Sequence, residues 1–407
     1  MSDEHIIAAL DIGTTKIVAL VGEMDQQGDL YVIGHGQAPA EGLRRGVVVD
    51  MDKTVYSIQK AIEDAQLVSG TEIDRVTVGI AGEHVRSINS HGVVGVSRSD
   101  NEVTAADVAK ALEAARAVAI PVDREIIHVI PQEYSVDDET GLKDPIGMSG
   151  VRLEVEAHLV TASVTTARNI YRSLERCRIG VDHIVLEALA LSQVLLSEEE
   201  MSIGAVLVDI GGDITSVALF SDGAIRNTAT IPLGGRNVTN DIAIGLRTTL
   251  DQAEELKMIH GAAMASMVDP EEMVNVAGIA GRASRDISRN VLASIIEPRM
   301  EEIFSLVGRE LKKMHRAESA AAGIILTGGG CLLPGTVDLA EQMFDIPVRV
   351  GRITGFSHIP DEQNNVKFAT AVGLLFHGFA HEPQAVAKFS SLGGWWKRIE
   401  SWISSKF

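Results

Sequence analysis

Two short runs set an aspartate just ahead of a glycine-rich turn: Asp11-Ile12-Gly13-Thr14-Thr15-Lys16, and Asp209-Ile210-Gly211-Gly212-Asp213-Ile214-Thr215. Each follows an apolar run (residues 6–10 and 205–208) and leads into another (17–21 and 217–220), so each reads as strand, turn, strand. Glycine lets backbone N–H groups approach phosphate oxygens, and threonine hydroxyls add donors. An aspartate at a strand end can hold a hydrated Mg²⁺, an ion that keeps several of its waters. One such hairpin is a common turn. Two of them can grip one polyphosphate between two similar half-domains. The run 18–20 is answered by 217–219 after one inserted residue, which suggests an internal duplication.

The elements that must position these turns follow from periodicity. Residues 6–21, 30–36 and 46–50 read as strands of one sheet, 52–69 as a helix and 76–81 as a further strand. Residues 84–162 read as an insertion. It holds an alternating stretch around Val93, Val94 and Val96, a helix over 104–118 capped by Thr104, strands over 126–130 and 151–161, and an acidic surface loop over 137–150. Beyond it come a helix (164–179), a strand (181–186) and an Ala/Leu-rich helix (187–196). In the second half, 237–257 and 290–315 read as long helices, 324–326 as a buried strand and 366–379 as an apolar helix. Residues 381–394, with Pro, Ser and Gly, read as a linker.

Bulk properties narrow the class. A chain of 407 residues, 45% apolar and 23% charged, can bury more than one core. A net charge of −20 argues against general nucleic-acid binding. Cys177 and Cys331 make no disulfide framework, which points to a reducing compartment, and both read as inert thiols. The N-terminus lacks the basic region and apolar length of a signal peptide, and no run reaches the roughly 20 apolar residues of a spanning helix. His377 and His381 stand one helical turn apart but lack a third ligand, so zinc is not expected.

The tail has chemistry of its own. All three tryptophans, Trp395, Trp396 and Trp402, fall in the last thirteen residues. On a helix, Trp395, Trp396, Ile399, Trp402, Ile403 and Phe407 share one face of about 140°, with Lys397 and Arg398 on the other. Indole at the headgroup boundary with neighbouring cations is the pattern of an interfacial membrane helix. One short helix binds weakly and the acidic body is repelled by anionic lipid, so many copies joined in a filament would strengthen attachment.

A third glycine-rich element, Thr327-Gly328-Gly329-Gly330, completes an order of motifs. Hairpin, connecting helix, hairpin, Gly-Gly-Arg turn, Thr-Gly-Gly-Gly and final Ala/Gly helix resemble the actin/Hsp70/sugar-kinase ATPase superfamily. More narrowly, His128-Val129-Ile130-Pro131-Gln132-Glu133-Tyr134, Ile295-Ile296-Glu297-Pro298-Arg299, Ala322-Gly323-Ile324-Ile325-Leu326-Thr327-Gly328-Gly329 and Ala371-Val372-Gly373-Leu374-Leu375 resemble the FtsA family of actin-like division proteins. The resemblance implies an α/β, actin-like (ribonuclease-H-like) two-lobed ATPase fold with an inserted α+β subdomain and a C-terminal amphipathic helix. The first-lobe core would be 1–83 with 163–196 and 366–380, the inserted subdomain 84–162 and the second-lobe core 197–230 with 308–365. A smaller second-lobe subdomain, 231–307, would bind a partner peptide, ahead of the linker 381–394 and a membrane helix 395–407.

The same resemblance implies residue roles. Gly13, Thr14, Thr15 and Lys16 would line the terminal phosphates of ATP from one lobe, and Asp209, Gly211, Gly212, Asp213 and Thr215 from the other. Asp11 and Asp209 would face Mg²⁺ through water. Gly234 and Gly235 would open the helix whose Glu255 and Lys257 approach the ribose, and Gly328, Gly329 and Gly330 would pass the adenine and α-phosphate. Glu187 would orient the attacking water. Similar proteins often read Asp-x-Gly-Gly-Gly-Thr, whereas here Asp213 replaces the third glycine, which argues for a side chain turned outward and for weak or no ATP hydrolysis. Arg285 and Arg289, in the locally basic stretch 281–289, and Arg299 farther on would meet the carboxylates of the C-terminal peptide of FtsZ.

The reading implied is an ATP-binding protein that polymerises and tethers FtsZ filaments to the cytoplasmic face of the inner membrane at the septum, among other division proteins. The alternatives are an actin-like pilus-assembly adaptor and a sugar-kinase-like phosphotransferase. The latter has no use for a Trp-rich tail.

Overall fold

A computed structural model describes residues 5–25, 27–97, 100–278, 283–314, 320–361 and 365–381. The tail set Trp395, Trp396, Lys397, Arg398, Ile399, Trp402, Ile403 and Phe407 lies outside the described residues, as do 382–394 of the linker.

The chain opens with three antiparallel strands, β1 (His5–Ile12), β2 (Lys16–Met24) and β3 (Leu30–Pro39). Residues 46–50 do not extend this sheet as the sequence suggests. β4 (Leu43–Arg44) and β5 (Val47–Val48) form a separate two-stranded ribbon. Its two-residue loop puts both Arg45 (φ 50°) and Gly46 (φ 78°) in the left-handed region, which is the type I′ turn that suits a tight hairpin. Helix α1 (Met51–Ser69) starts where the Asp50 side chain accepts a bond from the Lys53 N–H and stops at Gly70, and its apolar stripe packs on the first sheet. β6 (Arg75–Ile80) then runs parallel to β1.

Residues 86–163 build a unit of their own. β7 (Arg86–Gly95), α2 (Ala105–Arg116), β8 (Arg124–Val136), β9 (Glu139–Leu142) and β10 (Arg152–Ser163) give an antiparallel sheet of order β7-β10-β8-β9 with a separate apolar cluster under α2. Thr104 caps α2 in a reciprocal box with Asp107. The excursion over 137–150 carries the short strand β9 rather than loop alone. The chain returns through α3 (Val164–Arg176) to β11 (Gly180–Leu186), which pairs with β6 and closes the sheet as β11-β6-β1-β2-β3.

Buried α4 (Glu187–Leu195) and short α5 (Glu198–Ile203) lead to the second half. β12 (Ala205–Ile210), β13 (Thr215–Ser221) and β14 (Ala224–Ile231) are antiparallel neighbours. Helices α6 (Gly235–Leu246) and α7 (Leu250–His260) replace the single helix expected over 237–257. The break has a local cause: Arg247 is left-handed, the Thr248 hydroxyl bonds the Ala277 carbonyl, and the Thr249 side chain caps α7. A small ribbon, β15 (Met273–Val276) with β16 (Arg285–Ser288), precedes the long α8 (Arg289–Lys313). β17 (Ile324–Thr327), α9 (Thr336–Phe344) and β18 (Val348–Val350) complete a sheet of order β14-β13-β12-β17-β18. α10 (Ala369–Ala380) then packs back on α4 and the first sheet.

The two sheets share one topology: an antiparallel meander of three strands whose first strand has two parallel neighbours on its other side. The duplication is therefore real in three dimensions. The register corrects its details, because Ile12 pairs with Ile17 and Ile210 with Thr215, so both turns span four residues with no insertion. Thr215 thus corresponds to Ile17 and sits in β13, with its hydroxyl bonded to the Leu233 carbonyl.

Candidate functional site: the interlobe cleft

Asp11 and Asp209 lie next to last in β1 and β12, and Glu187 opens α4. These three carboxyls and the Lys16 ammonium sense one another electrostatically across the lobe boundary. Burial raises Asp11 above the carboxylate range, against the pull of Lys16. Burial and the neighbouring Asp11 push Asp209 up to about 7, and burial with both aspartates raises Glu187 well above its usual range. Lys16 is held down by burial; its Nζ donates to the Lys367 carbonyl (2.8 Å) and lies 4.7 Å from the centre of the Phe368 ring. Three carboxyls crowded around one ammonium away from water resist carrying their full negative charge, and a divalent cation would relieve that crowding. Among the described residues no three His, Cys, Asp or Glu side chains form a direct metal cage. A hydrated Mg²⁺, held by one or two carboxylates through water, fits this donor set.

The hairpins meet tip to tip. The Asp213 N–H donates to the Thr14 hydroxyl (3.1 Å), and a Cβ on Gly212 would stand 2.2 Å from the Thr15 methyl, so this contact requires glycine. Gly13 turns the first hairpin beside the Lys16 carbonyl, and Gly211 turns the second beneath Ile214. The Asp213 carboxylate bonds the Arg45 N–H and pairs with Arg236. Gly234 and Gly235 press α6 onto the second hairpin: the Gly235 and Arg236 N–H groups donate to the Gly211 and Gly212 carbonyls at 2.9 and 2.8 Å.

The third glycine-rich element follows β17, which pairs with β12 through Asp209 and Thr327. Gly328 has φ 79°, and a Cβ there would lie 2.2 Å from Asp209 Oδ1. Gly330 is similarly crowded by Ile210, whereas Gly329 faces open space. The Thr327 hydroxyl is fully buried without a hydrogen-bond partner, beside Asp209.

Farther along, Lys257 Nζ donates to the Gly235 carbonyl (3.2 Å), the Thr239 hydroxyl (2.9 Å) and Glu254 (2.7 Å). Glu255, expected to approach the ribose, is exposed and accepts from Gln252; Glu254 is the carboxylate that Lys257 meets. Arg285 donates to the Leu246 carbonyl, Arg289 binds Glu272 and the His260 carbonyl, and Arg299 holds Asp241 and Glu302. All three guanidinium groups have internal partners. The His377 and His381 rings stack at 3.9 Å, and burial pushes the Cys177 and Cys331 thiols to about 11 and about 12. Sequence reading did not single out Arg45, Arg236, Thr239 or Glu254, and named Thr327 only as the head of its glycine run. Only Arg236 had a local signal, in its Gly-Gly-Arg turn.

The family model described as "Cell division protein FtsA" matches residues 206–373, and that of the "SHS2 domain inserted in FTSA" matches 82–161. The chain is 43% identical to the cell division protein FtsA of Pseudomonas aeruginosa, over 99% of this chain and 98% of that protein. In fold it is similar to a chain of the PilM-PilN type IV pilus biogenesis complex (TM-score 0.66, 17% identity, 91% and 98% of the two chains). It is also similar to MreB5 of Spiroplasma citri bound to AMPPNP (TM-score 0.56, 14% identity, 96% and 99%).

Proposed function

The chain belongs to the FtsA family of cell division proteins, and from that premise we propose that it binds ATP with Mg²⁺ between its lobes, polymerises, and tethers FtsZ filaments to the membrane. One observation carries the nucleotide reading: two duplicated hairpins bring Asp11, Lys16 and Asp209 to one buried place between the lobes, where Glu187 at the start of α4 joins them. Asp11 and Asp209 would hold the hydrated cation, which would neutralise phosphate charge. Gly13, Thr14, Thr15 and Gly212 supply backbone donors and hydroxyls from both sides, and Gly328 keeps the floor open. Glu187 stands where it can orient a water. Weak or absent hydrolysis fits the second turn, Gly211 to Ile214, which has no hydroxyl side chain, while the Thr215 hydroxyl is already donated to Leu233.

Membrane attachment rests on the Trp-rich segment 395–407 and its basic residues. Among the described residues no helix is long and apolar enough to cross a membrane. The FtsZ peptide would dock on the small second-lobe subdomain that carries Arg285, Arg289 and Arg299. Fold similarity to PilM at 17% identity carries no pilus function, and the family assignment favours division.

The test is direct. Purified protein titrated with a fluorescent ATP analogue should bind one nucleotide per chain in Mg²⁺, and Asp209→Asn should weaken binding at least roughly tenfold. Absence of binding by the wild type would end the nucleotide reading.

A further inference from the structure

Nucleotide binding as proposed gives the nearly buried Asp213 carboxylate no task. Its surroundings do. Oδ2 accepts the Arg45 N–H at 3.1 Å, and Oδ1 lies 3.2 Å from Arg236 Nη1. Arg236 Nη2 donates to the Thr14 carbonyl at 2.8 Å, and the Asp213 N–H donates to the Thr14 hydroxyl at 3.1 Å. Thr14 and Arg45 belong to the first lobe, Asp213 and Arg236 to the second. Three of these four contacts cross the cleft, and the Asp213–Arg236 pair ties them together.

We propose that Asp213, Arg236 and the Arg45-Gly46 turn form a latch that holds the lobes closed on each other without a nucleotide. They are positioning residues for the hairpins and not ligands of the phosphates.

Three physical features support the assignment. First, the Asp213 side chain is only 8% exposed, yet its charge is met by a guanidinium and a backbone N–H, so removing either partner strands a buried carboxylate. Second, Arg45 occupies a left-handed conformation that non-glycine residues rarely take, and this backbone setting aims its N–H at Asp213. That ribbon stands apart from the main sheet, so this contact is one thing the turn accomplishes. Third, the Arg236 guanidinium is planar and forked, which lets it face the carboxylate with one nitrogen and the Thr14 carbonyl with another. Beside the latch lies a cavity of about 250 Å³ lined by Arg44, Arg45, Asp213, Arg236, Asn237 and Asn240, so the arginines have room to swing out when the lobes part.

Two consequences follow. Without nucleotide, the latch should keep the hairpins together. With nucleotide, it should slow release, because the hairpins must separate before the phosphates leave. The second consequence rests on the nucleotide reading, whereas the first does not.

The experiment measures lobe separation in nucleotide-free full-length protein. Spin labels on Glu63→Cys (α1) and Glu301→Cys (α8), both exposed, report the distance by pulsed electron resonance in a Cys177→Ala, Cys331→Ala background. The latched protein should give one narrow distance. Asp213→Gly and Arg236→Ala should each broaden and lengthen it, and the double variant should go no further than either single. Asp213→Asn, which keeps size and acceptor but not charge, should fall between. Release of a fluorescent ATP analogue should quicken roughly tenfold in each single variant, with no further gain in the double. Unchanged distances, or effects that add, would overturn the latch. If distances respond but no nucleotide binds, the latch stands and the nucleotide reading fails.

Discussion

Gly328 and Gly329 are adjacent in sequence, yet the structure assigns them opposite sensitivities. Gly328 has φ 79° and ψ 167°, a region essentially reserved for glycine, and holding alanine there costs about 1–3 kcal/mol. The new Cβ would also lie 2.2 Å from Asp209 Oδ1 and 2.6 Å from the Ile210 carbonyl. Relieving that overlap means moving the end of β12, and overpacking of this kind adds about 1–3 kcal/mol. Gly328→Ala should therefore lose about 2–6 kcal/mol of stability in all. At Gly329 nothing lies within 4 Å of a built Cβ, so Gly329→Ala should stay within about 0.5 kcal/mol of the wild type. Gly329→Leu should be nearly as stable, yet weaken ATP binding at least roughly tenfold by filling the open space in which the nucleotide is proposed to lie. Urea unfolding followed by circular dichroism reads the first pair, and titration with a fluorescent ATP analogue reads the last. The reasoning is refuted if Gly328→Ala unfolds like the wild type, or if Gly329→Ala proves the more damaging change.

Other expectations are briefer. His158 is fully buried between Asn89 (2.7 Å) and Thr228 (3.3 Å), and burial pushes it down to about 4. A base whose folded value lies below its unfolded one, about 6.5, stabilises fully above that unfolded value and loses the contribution as pH falls toward 4. It should account for an acid loss of about 3 kcal/mol between pH 6.5 and 4, and His158→Gln should flatten that part of a stability–pH curve. Trp402→Glu should cut flotation with anionic liposomes roughly tenfold; a non-polymerising variant should float equally poorly, and undiminished flotation would remove filament avidity from the account. Arg285→Glu should weaken pull-down of FtsZ while sparing ATP binding, and is a cleaner test than Arg299, whose reversal also breaks the pair with Asp241.

Much of this molecule could be read from local pattern. Strand–turn–strand runs around Asp11 and Asp209, the cap at Thr104 and the buried strand before Gly328 each depend on neighbours a few residues away, so periodicity and turn chemistry reveal them. Errors arose where a short element depends on one turn. The Arg45-Gly46 loop makes residues 43–48 a ribbon of their own, and Thr248 and Thr249 end one helix and start another. Within α7, Glu254 meets Lys257 because residues three apart share a helix face.

The sequence alone pointed to duplicated lobes and to the family through short motifs, and it sets the three tryptophans in the last thirteen residues. Only tertiary structure decided that Asp11, Glu187, Asp209 and Lys16 share one desolvated site, and that Asp213 pairs with Arg236 and meets Arg45 across the cleft. Those partners lie up to about two hundred positions apart, as Thr14 and Asp213 do. The strength of a charge in such a place depends on which lobe packs against it and how much water that packing excludes, and no local pattern in the chain carries that information.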